Sequence, residues 1–410
     1  MRVAYYSPMP PERSGIADYS AHLLPALRER IAVVVAQRRR RAPRAELALY
    51  HLGNNPDAHG WIVDALRKRP GVVVLHDFVL HHLVAGLTIG RRDGHGYLDA
   101  MEREGGVVGR LLAHGVLDKR IPPLWESRPE EYHLAGEVLA LATGLIVHSH
   151  YVENRSRAAG YEGPIWRIPH PAWEHAPVSP AQLDGAPLIG SFGNVNASKR
   201  IPQLLEAFAR LRLDRPEARL LLVGAVSPGF DLDRRLQRLG LSGEGIIREA
   251  YVEEDRLWSL MAACDVCVNL RSPTMGETSG SVIRQVSLGK PVVVSDVGWF
   301  AELSADVALK VPVDGAETET LYAALELLAR DEGARASMSA AALALVRREH
   351  DLGRAAGLYV SALEQAAGGE AVANALLGDV AAAATEVGIE PGSPEASELA
   401  RRLAEVELGR

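Results

Sequence analysis

The run FGNVNASKR sets Lys199 and Arg200 side by side at the start of a helical pattern, just after the strand-like Leu188–Phe192. Two cations beside a helix N-terminus suit a diphosphate, because unpaired backbone N–H groups and the helix dipole add to their charge. A Lys-Arg pair alone is equally ordinary as the solvated start of a surface helix. Further along, RSPTMGETSGSVIRQVSLGKPVVVSD follows the strand-like VCVNL. Here Glu277 precedes Thr278, Ser279, Gly280 and Ser281, and a helix follows. Hydroxyls and free N–H groups at such a start suit phosphate oxygens, although helix capping accounts for part of the pattern.

The first half of the chain offers fewer candidates. In PMPPERSGIADYS, Gly15 opens a helix after the first strand. It is either a plain turn glycine or a place where backbone amides approach an anion or a sugar with no Cβ in the way. His76 and Asp77, in LHDFVLHH, stand at the exit of a buried strand, where open α/β sheets bind their ligands. Cys264 and Cys267 share a C-x-x-C spacing, but no second pair completes a metal site, so they read as buried thiols. Asp231-Leu-Asp233 matches the Asp-x-Asp of metal-dependent transferases, yet it opens a helical pattern and reads as a solvated helix start. No metal site is expected, and no cofactor.

Stepping from these residues to the elements that hold them, short apolar β-branched runs alternate with segments of helical period, the signature of βαβ units and parallel sheets. The spacing predicts strands at 2–7, 31–36, 48–52, 72–75 and 145–147, then at 188–192, 219–223, 245–248, 266–269, 292–295 and 308–311. Between the two series lies the Pro- and Ala-rich HPAWEHAPVSPAQLDGAP, a linker. The Gly- and His-studded segment 86–125 interrupts the alternation and reads as an insertion serving a binding cleft. After His350 comes an amphipathic helix, and 368–410 reads as additional helices.

Composition bounds the class. Hydrophobic residues make up 47% and charged residues 24%, which supports packed cores in more than one domain over 410 residues. A net charge of −7 disfavours general nucleic-acid binding. With no signal-peptide pattern after Met1 and no apolar run long enough to cross a bilayer, a cytoplasmic location is expected. One basic cluster, Arg38–Arg41 with Arg44, is either a solvated turn or a contact with an anionic membrane face or a phosphorylated acceptor.

The chain resembles the retaining GT-B glycosyltransferases of family 4, the group 1 glycosyltransferases. The carriers are SGIADYS, LHD at 75–77, GLIVHSHYV at 144–152, IPHP at 168–171, SKR at 198–200, GETSGS at 276–281 and LGKPVVVSDVGWFAEL at 288–303, in that order. The resemblance implies an α/β fold of two facing, doubly wound Rossmann-like domains. It implies an acceptor domain at 1–173, a nucleotide-sugar donor domain at 174–348, a crossover helix at 349–367 on the N-terminal domain, and a helical extension at 368–410. Three departures stand out. Arg284 and Gln285 occupy the place of the second carboxylate that contacts ribose hydroxyls; Glu277 lies one place late relative to GKP; and Asn194 replaces the arginine after the phosphate-loop glycine.

By that resemblance, His76, Lys199 and Glu277 carry catalysis. Lys199 and Arg200 stabilise the departing diphosphate with the Ser279–Ser281 amides, Glu277 orients sugar hydroxyls, and His76 contacts the sugar. Gly15, Asp77, Asn194, Thr278, Gln285 and Glu302 complete the donor and substrate contacts. The donor expected is a UDP- or GDP-sugar, and the acceptor a glycan, lipid-linked or small-molecule hydroxyl. A nucleotide-sugar epimerase of the same fold, or an inactive sugar-nucleotide-binding subunit, are the rival readings.

Overall fold

Gly71–Leu75 and Val292–Ser295 are buried at every residue. Strands covered on both faces read as continuous apolar runs, and that is why these segments lack polar alternation. The computed structural model describes all residues except Arg13, Glu174, Ser242, Glu244, Gly369 and 406–410, with the backbone alone for 370–377 and 403–405. Its contacts divide the chain into Met1–Ile168 with Gly353–Arg410, and Pro169–Leu352.

The first unit runs β1 (Arg2–Tyr6), α1 (Gly15–Arg28), β2 (Ala32–Val35), β3 (Leu47–Leu52), α2 (Pro56–Lys68), β4 (Gly71–Leu75), α3 (His81–Leu87), α4 (Gly94–Leu117), α5 (Leu124–Ser127), α6 (Gly136–Leu141), β5 (Ala142–Val147), α7 (His150–Ala158) and β6 (Ile165–Arg167). Its parallel sheet has the order β2-β1-β3-β4-β5-β6. Helix starts follow local chemistry: Ser14 Oγ accepts from Ile16 N at 3.2 Å, and Asn55 Oδ1 from Asp57 N at 2.9 Å, ahead of Pro56. Sequence reading misses β6, a three-residue edge strand.

The second unit runs β7 (Leu188–Phe192), α8 (Ile201–Asp214), β8 (Arg219–Val223), α9 (Leu232–Arg238), β9 (Ile246–Glu249), α10 (Glu254–Ala263), β10 (Val266–Asn269), α11 (Gly280–Ser287), β11 (Val292–Ser295), β12 (Ala308–Val311), α12 (Glu317–Arg330) and α13 (Glu332–Glu349). Its sheet is also parallel, ordered β12-β11-β10-β7-β8-β9. Side chains alternate across it. Leu220 and Leu222 join one core with α8 and α12, whereas Leu221 and Val223 join another with α11. Pro169–Trp173 packs within this unit: Ala172 N donates to His350 O at 2.7 Å, and Trp173 stacks on the Arg284 guanidinium at 3.8 Å.

The chain then returns to the first unit as α14 (Leu352–Ala367), followed by α15 (Glu370–Glu386) and α16 (Pro394–Glu405). Ala355, Ala356, Tyr359, Ala362, Leu363 and Ala366 are buried along one helical stripe of α14. Tyr359 OH and Tyr19 OH of α1 are 2.8 Å apart, and Trp166 Nε1 donates to Gln365 Oε1 at 2.8 Å.

Candidate functional site

In an open parallel sheet the ligand crevice lies at the carboxyl ends of the strands where their order reverses. In the second unit those strands are β7 and β10, and in the first they are β1 and β3.

After β7, Gly193 has φ 105°, and a Cβ on it would lie 3.2 Å from Lys199 Nζ. Both the backbone turn and the overlying ammonium therefore call for glycine. Asn196 Oδ1 accepts from Ser198 Oγ and from Lys199 N, each at 3.0 Å, which fixes the loop around Lys199. Burial first, and then the charge of Arg271, push the Lys199 ammonium down to about 7, with Glu277 opposing them.

Two residues beyond β10, Arg271 Nε meets Glu277 Oε1 at 2.5 Å. The other carboxylate oxygen accepts from Met275 N at 2.8 Å and from Thr274 Oγ1 at 3.1 Å. Ser272 N donates to Ser198 O at 2.9 Å and so joins this loop to that of Lys199. Lys199, Arg271 and Glu277 thus form one cluster with a single excess positive charge at the switch point. Arg271 was not singled out by sequence reading, although it stands at a strand exit, the signal that located His76.

Beside this cluster α11 begins. Ser279 Oγ accepts from Val282 N at 3.3 Å, as an N-cap does. Thr278 Oγ1 is buried with no hydrogen-bond partner among the described residues, which is uncommon for a buried hydroxyl. Ser281 is half-buried, and a Cβ on Gly280 would lie 3.0 Å from the Trp173 ring. Asn194 and Glu302 are exposed, the latter at the end of the 3₁₀ turn Gly298–Glu302.

Two residues expected at the donor are engaged elsewhere. Arg200 takes a left-handed φ of 53°, and its Nε donates to the two Glu317 carboxylate oxygens at 2.8 and 3.1 Å. Glu317 is buried, so the pair stitches α8 to α12 and leaves Arg271, with Lys199, as the cations of the crevice. Arg200→Ala strands a buried carboxylate. It is expected to cost about 3–5 kcal/mol in denaturant unfolding while calorimetry finds donor affinity unchanged. A large loss of affinity at unchanged stability would return Arg200 to the phosphate site. Gln285 is wholly buried, and its Oε1 accepts from Asn269 Nδ2 of β10. Its Oε1 thus ties α11 to the sheet, while its Nε2 has no hydrogen-bond partner among the described residues. Arg284 is likewise spent, stacked on Trp173 and 3.6 Å from Glu254.

The remaining sequence readings resolve simply. Asp231 caps α9 by accepting from Arg234 N at 3.0 Å, and Asp233 pairs with Arg248 at 2.5 Å. Both cysteines are buried and free, and burial pushes the Cys267 thiol well above its ordinary range.

In the first unit, neither packing nor backbone conformation demands glycine at position 15: its φ is not left-handed, and a Cβ would meet nothing within 4 Å. Across the switch point, a Cβ on Gly53 would lie 3.0 Å from Asp77 Oδ2 and 3.2 Å from His59 Nε2. Asp77 Oδ2 accepts from Asn54 N at 2.7 Å, so Asp77 holds the loop after β3.

His76 lies in a nest of rings that the sequence did not announce. Its Nε2 is 3.0 Å from His51 Nδ1, the Tyr19 ring meets it edge-on at 4.8 Å, and the His148 ring lies 5.1 Å away. His148 Nδ1 is anchored 2.7 Å from Ile168 O. Burial, then His148 and His59, hold His51 well below the ordinary histidine range, so it stays neutral. A neutral imidazole carries one N–H. Placing it on His51 Nδ1 spends it on His76 Nε2 and leaves a bare lone pair at His51 Nε2, which has no partner among the described residues. That tautomer is the cheaper one, because an unpaired buried N–H is rarer than an unpaired acceptor. It leaves His76 Nε2 as the acceptor from His51 Nδ1.

Residues 186–331, from the approach to β7 through α12, match the family model for glycosyl transferases group 1. No curated protein sequence matches the chain. Among solved structures, HepE from Anabaena in complex with UDP-glucose is 16% identical with a TM-score of 0.60, over 89% of this chain and 100% of that one. HepE in complex with UDP and glucose gives 15% and 0.59, over 89% and 99%. Sucrose-phosphate synthase from Thermosynechococcus elongatus gives 17% and 0.62, over 89% and 98%. The chain has the GT-B fold of two Rossmann-like domains, and its second unit carries the stretch that matches the group 1 glycosyl transferase model.

Proposed function

We propose that the protein is a retaining glycosyltransferase of family 4 that takes a sugar from a nucleoside diphosphate, UDP or GDP, and delivers it to a hydroxyl acceptor. The observation that carries the reading is the meeting of Lys199 and Arg271 at the β7/β10 switch point, beside the Thr278–Ser279 start of α11. The UDP-glucose in the HepE structure supports the choice of donor. As the bond from the anomeric carbon to the diphosphate breaks, negative charge gathers on the phosphate oxygens. Lys199, Arg271 and the α11 amides stabilise it there. Glu277 keeps Arg271 in place, and His76 contacts the sugar. The acceptor oxygen joins the face that the diphosphate leaves. Incubation with UDP-glucose or GDP-mannose and an acceptor glycan extract, followed by release of the nucleoside diphosphate and mass spectrometry of the product, tests the reading; donor bound but never consumed would point to a binding subunit.

Because protein cations meet the leaving charge, transfer is expected to survive EDTA. Loss on chelation with rescue by Mg²⁺ or Mn²⁺ would overturn that part of the proposal.

Donor affinity should also depend on pH in a defined direction. The diphosphate binds the ammonium form of Lys199, which in the free protein is present below about 7 and lost as pH rises through it. Calorimetry with UDP-glucose is expected to show full affinity at acidic pH and a decline of about tenfold per unit above neutrality. The Lys199→Arg variant, always charged, should be flat; a flat wild-type profile contradicts the assignment.

A further inference from the structure

Beside the β1/β3 switch point, the first unit holds a cavity of about 540 Å³ where β1 and the edge strand β2 end. Its floor is aromatic: Tyr6 at the end of β1 and the half-buried Trp61 of α2, with ring centroids 6.0 Å apart and inclined at 43°. Its rim is the loop that leaves β2. There Arg40 N donates to Gln37 O at 3.1 Å, and Arg39 takes φ 66°, a left-handed conformation that long side chains avoid. Arg39, Arg40 and Arg41 of this turn and Lys68 of α2 all line the cavity.

Seven cations and one carboxylate line this cavity, in a chain whose net charge is −7. The carboxylate, Asp64, is already taken by Arg67 at 3.2 Å and Arg91 at 3.5 Å. Arg39, Arg40, Arg41 and Lys68 have no carboxylate partner among the described residues. Their mutual repulsion is therefore unrelieved by the protein, and a multivalent anion would relieve it.

We propose that this cavity binds a small molecule carrying both a phosphate group and a ring, the phosphate against Arg39–Arg41 and the ring against Trp61. Guanidinium forks match phosphate oxygens in pairs, and an aromatic face accepts a sugar or an aromatic ring. A concave aromatic floor favours an inserted group over a flat bilayer contact. A free phosphate ester and a phosphorylated lipid headgroup share this chemistry. The site uses no residue assigned to the sugar donor, so it stands or falls apart from the transferase reading.

Phenyl phosphate joins the two required groups and is the probe, with phenol as the control. Titrated into the full chain at low ionic strength, it is expected to bind while phenol does not. The double variant Arg40→Glu/Arg41→Glu should weaken binding at least about tenfold, and Trp61→Ala severalfold. The two arginines are exposed, so the double variant should melt as the wild type does. No binding at millimolar probe, or equal binding by the double variant, overturns the proposal. Sedimentation with phosphatidylcholine vesicles, with and without phosphatidylglycerol, separates the sources. Capture by anionic vesicles that phenyl phosphate displaces assigns the site to a headgroup. No capture, with phenyl phosphate still bound, assigns it to a free ester. Arginine-dependent capture that phenyl phosphate cannot displace would mean a surface contact in place of a pocket.

Discussion

Lys199→Ala is expected to lower turnover about 100-fold or more, the usual effect of removing one group that stabilises developing charge. Stability should not follow it down. Lys199 is half-buried beside a second cation, Arg271, with Glu277 favouring its charge, so its removal relieves a repulsion as it opens a small void. A melting temperature near that of the wild type, with kcat collapsed, is thus the signature that separates a catalytic loss from a folding loss. Arg271→Ala should resemble it in kcat but leave the Glu277 carboxylate without its 2.5 Å partner, and so should also destabilise the loop. Unchanged turnover of Lys199→Ala with intact donor affinity would sink the phosphate assignment.

His76→Ala is expected to reduce transfer about 100-fold while leaving UDP affinity intact. The groups proposed for the phosphates, Lys199 and Arg271, lie in the second unit, whereas His76 and its ring partners lie in the first. Calorimetry with UDP measures the affinity in isolation, and single-turnover transfer from UDP-glucose measures the transfer. Substitution of His51 by Phe removes the donor to His76 Nε2 without touching the nucleotide groups. It should depress kcat and leave the KM for donor near its wild-type value. Loss of UDP binding in His76→Ala would break this division of labour.

The fold was legible because its inner strands are covered on both faces. Runs such as LLLV at 220–223 and VVVS at 292–295 have no reason to alternate, and their bounds follow directly from where the apolar run stops. Ile165–Arg167 escaped because it is three residues long, half-buried and flanked by Pro164 and Pro169. Within the site, local spacing placed Lys199, Glu277 and Ser279 together, since each sits on a strand exit or a helix start. It could not show the Arg200–Glu317 pair, because Glu317 is distant in sequence and the packing of α8 on α12 brings the two together. The packing of Gln285 was hidden for a related reason. Its position looked like a ribose contact in linear order, but it lies on the face of α11 that carries Val282 and Val286 into the core. The ring nest around His76 draws on β3, β5's exit, α1 and α14, and no linear pattern links those segments.

The first unit is written on either side of the second. A ribosome delivers β1 to β6 early, yet α14 emerges only after the whole of Pro169–Leu352 has been made, roughly 10–40 s later at ordinary synthesis rates. Through that interval the Tyr19 hydroxyl lacks Tyr359, and the surface that Ala356, Tyr359 and Leu363 will cover lies open to water. The nascent chain thus carries a finished sheet with an unfinished face, the kind of surface that chaperones hold. Translation that stops short of α14 damages the oldest part of the protein first.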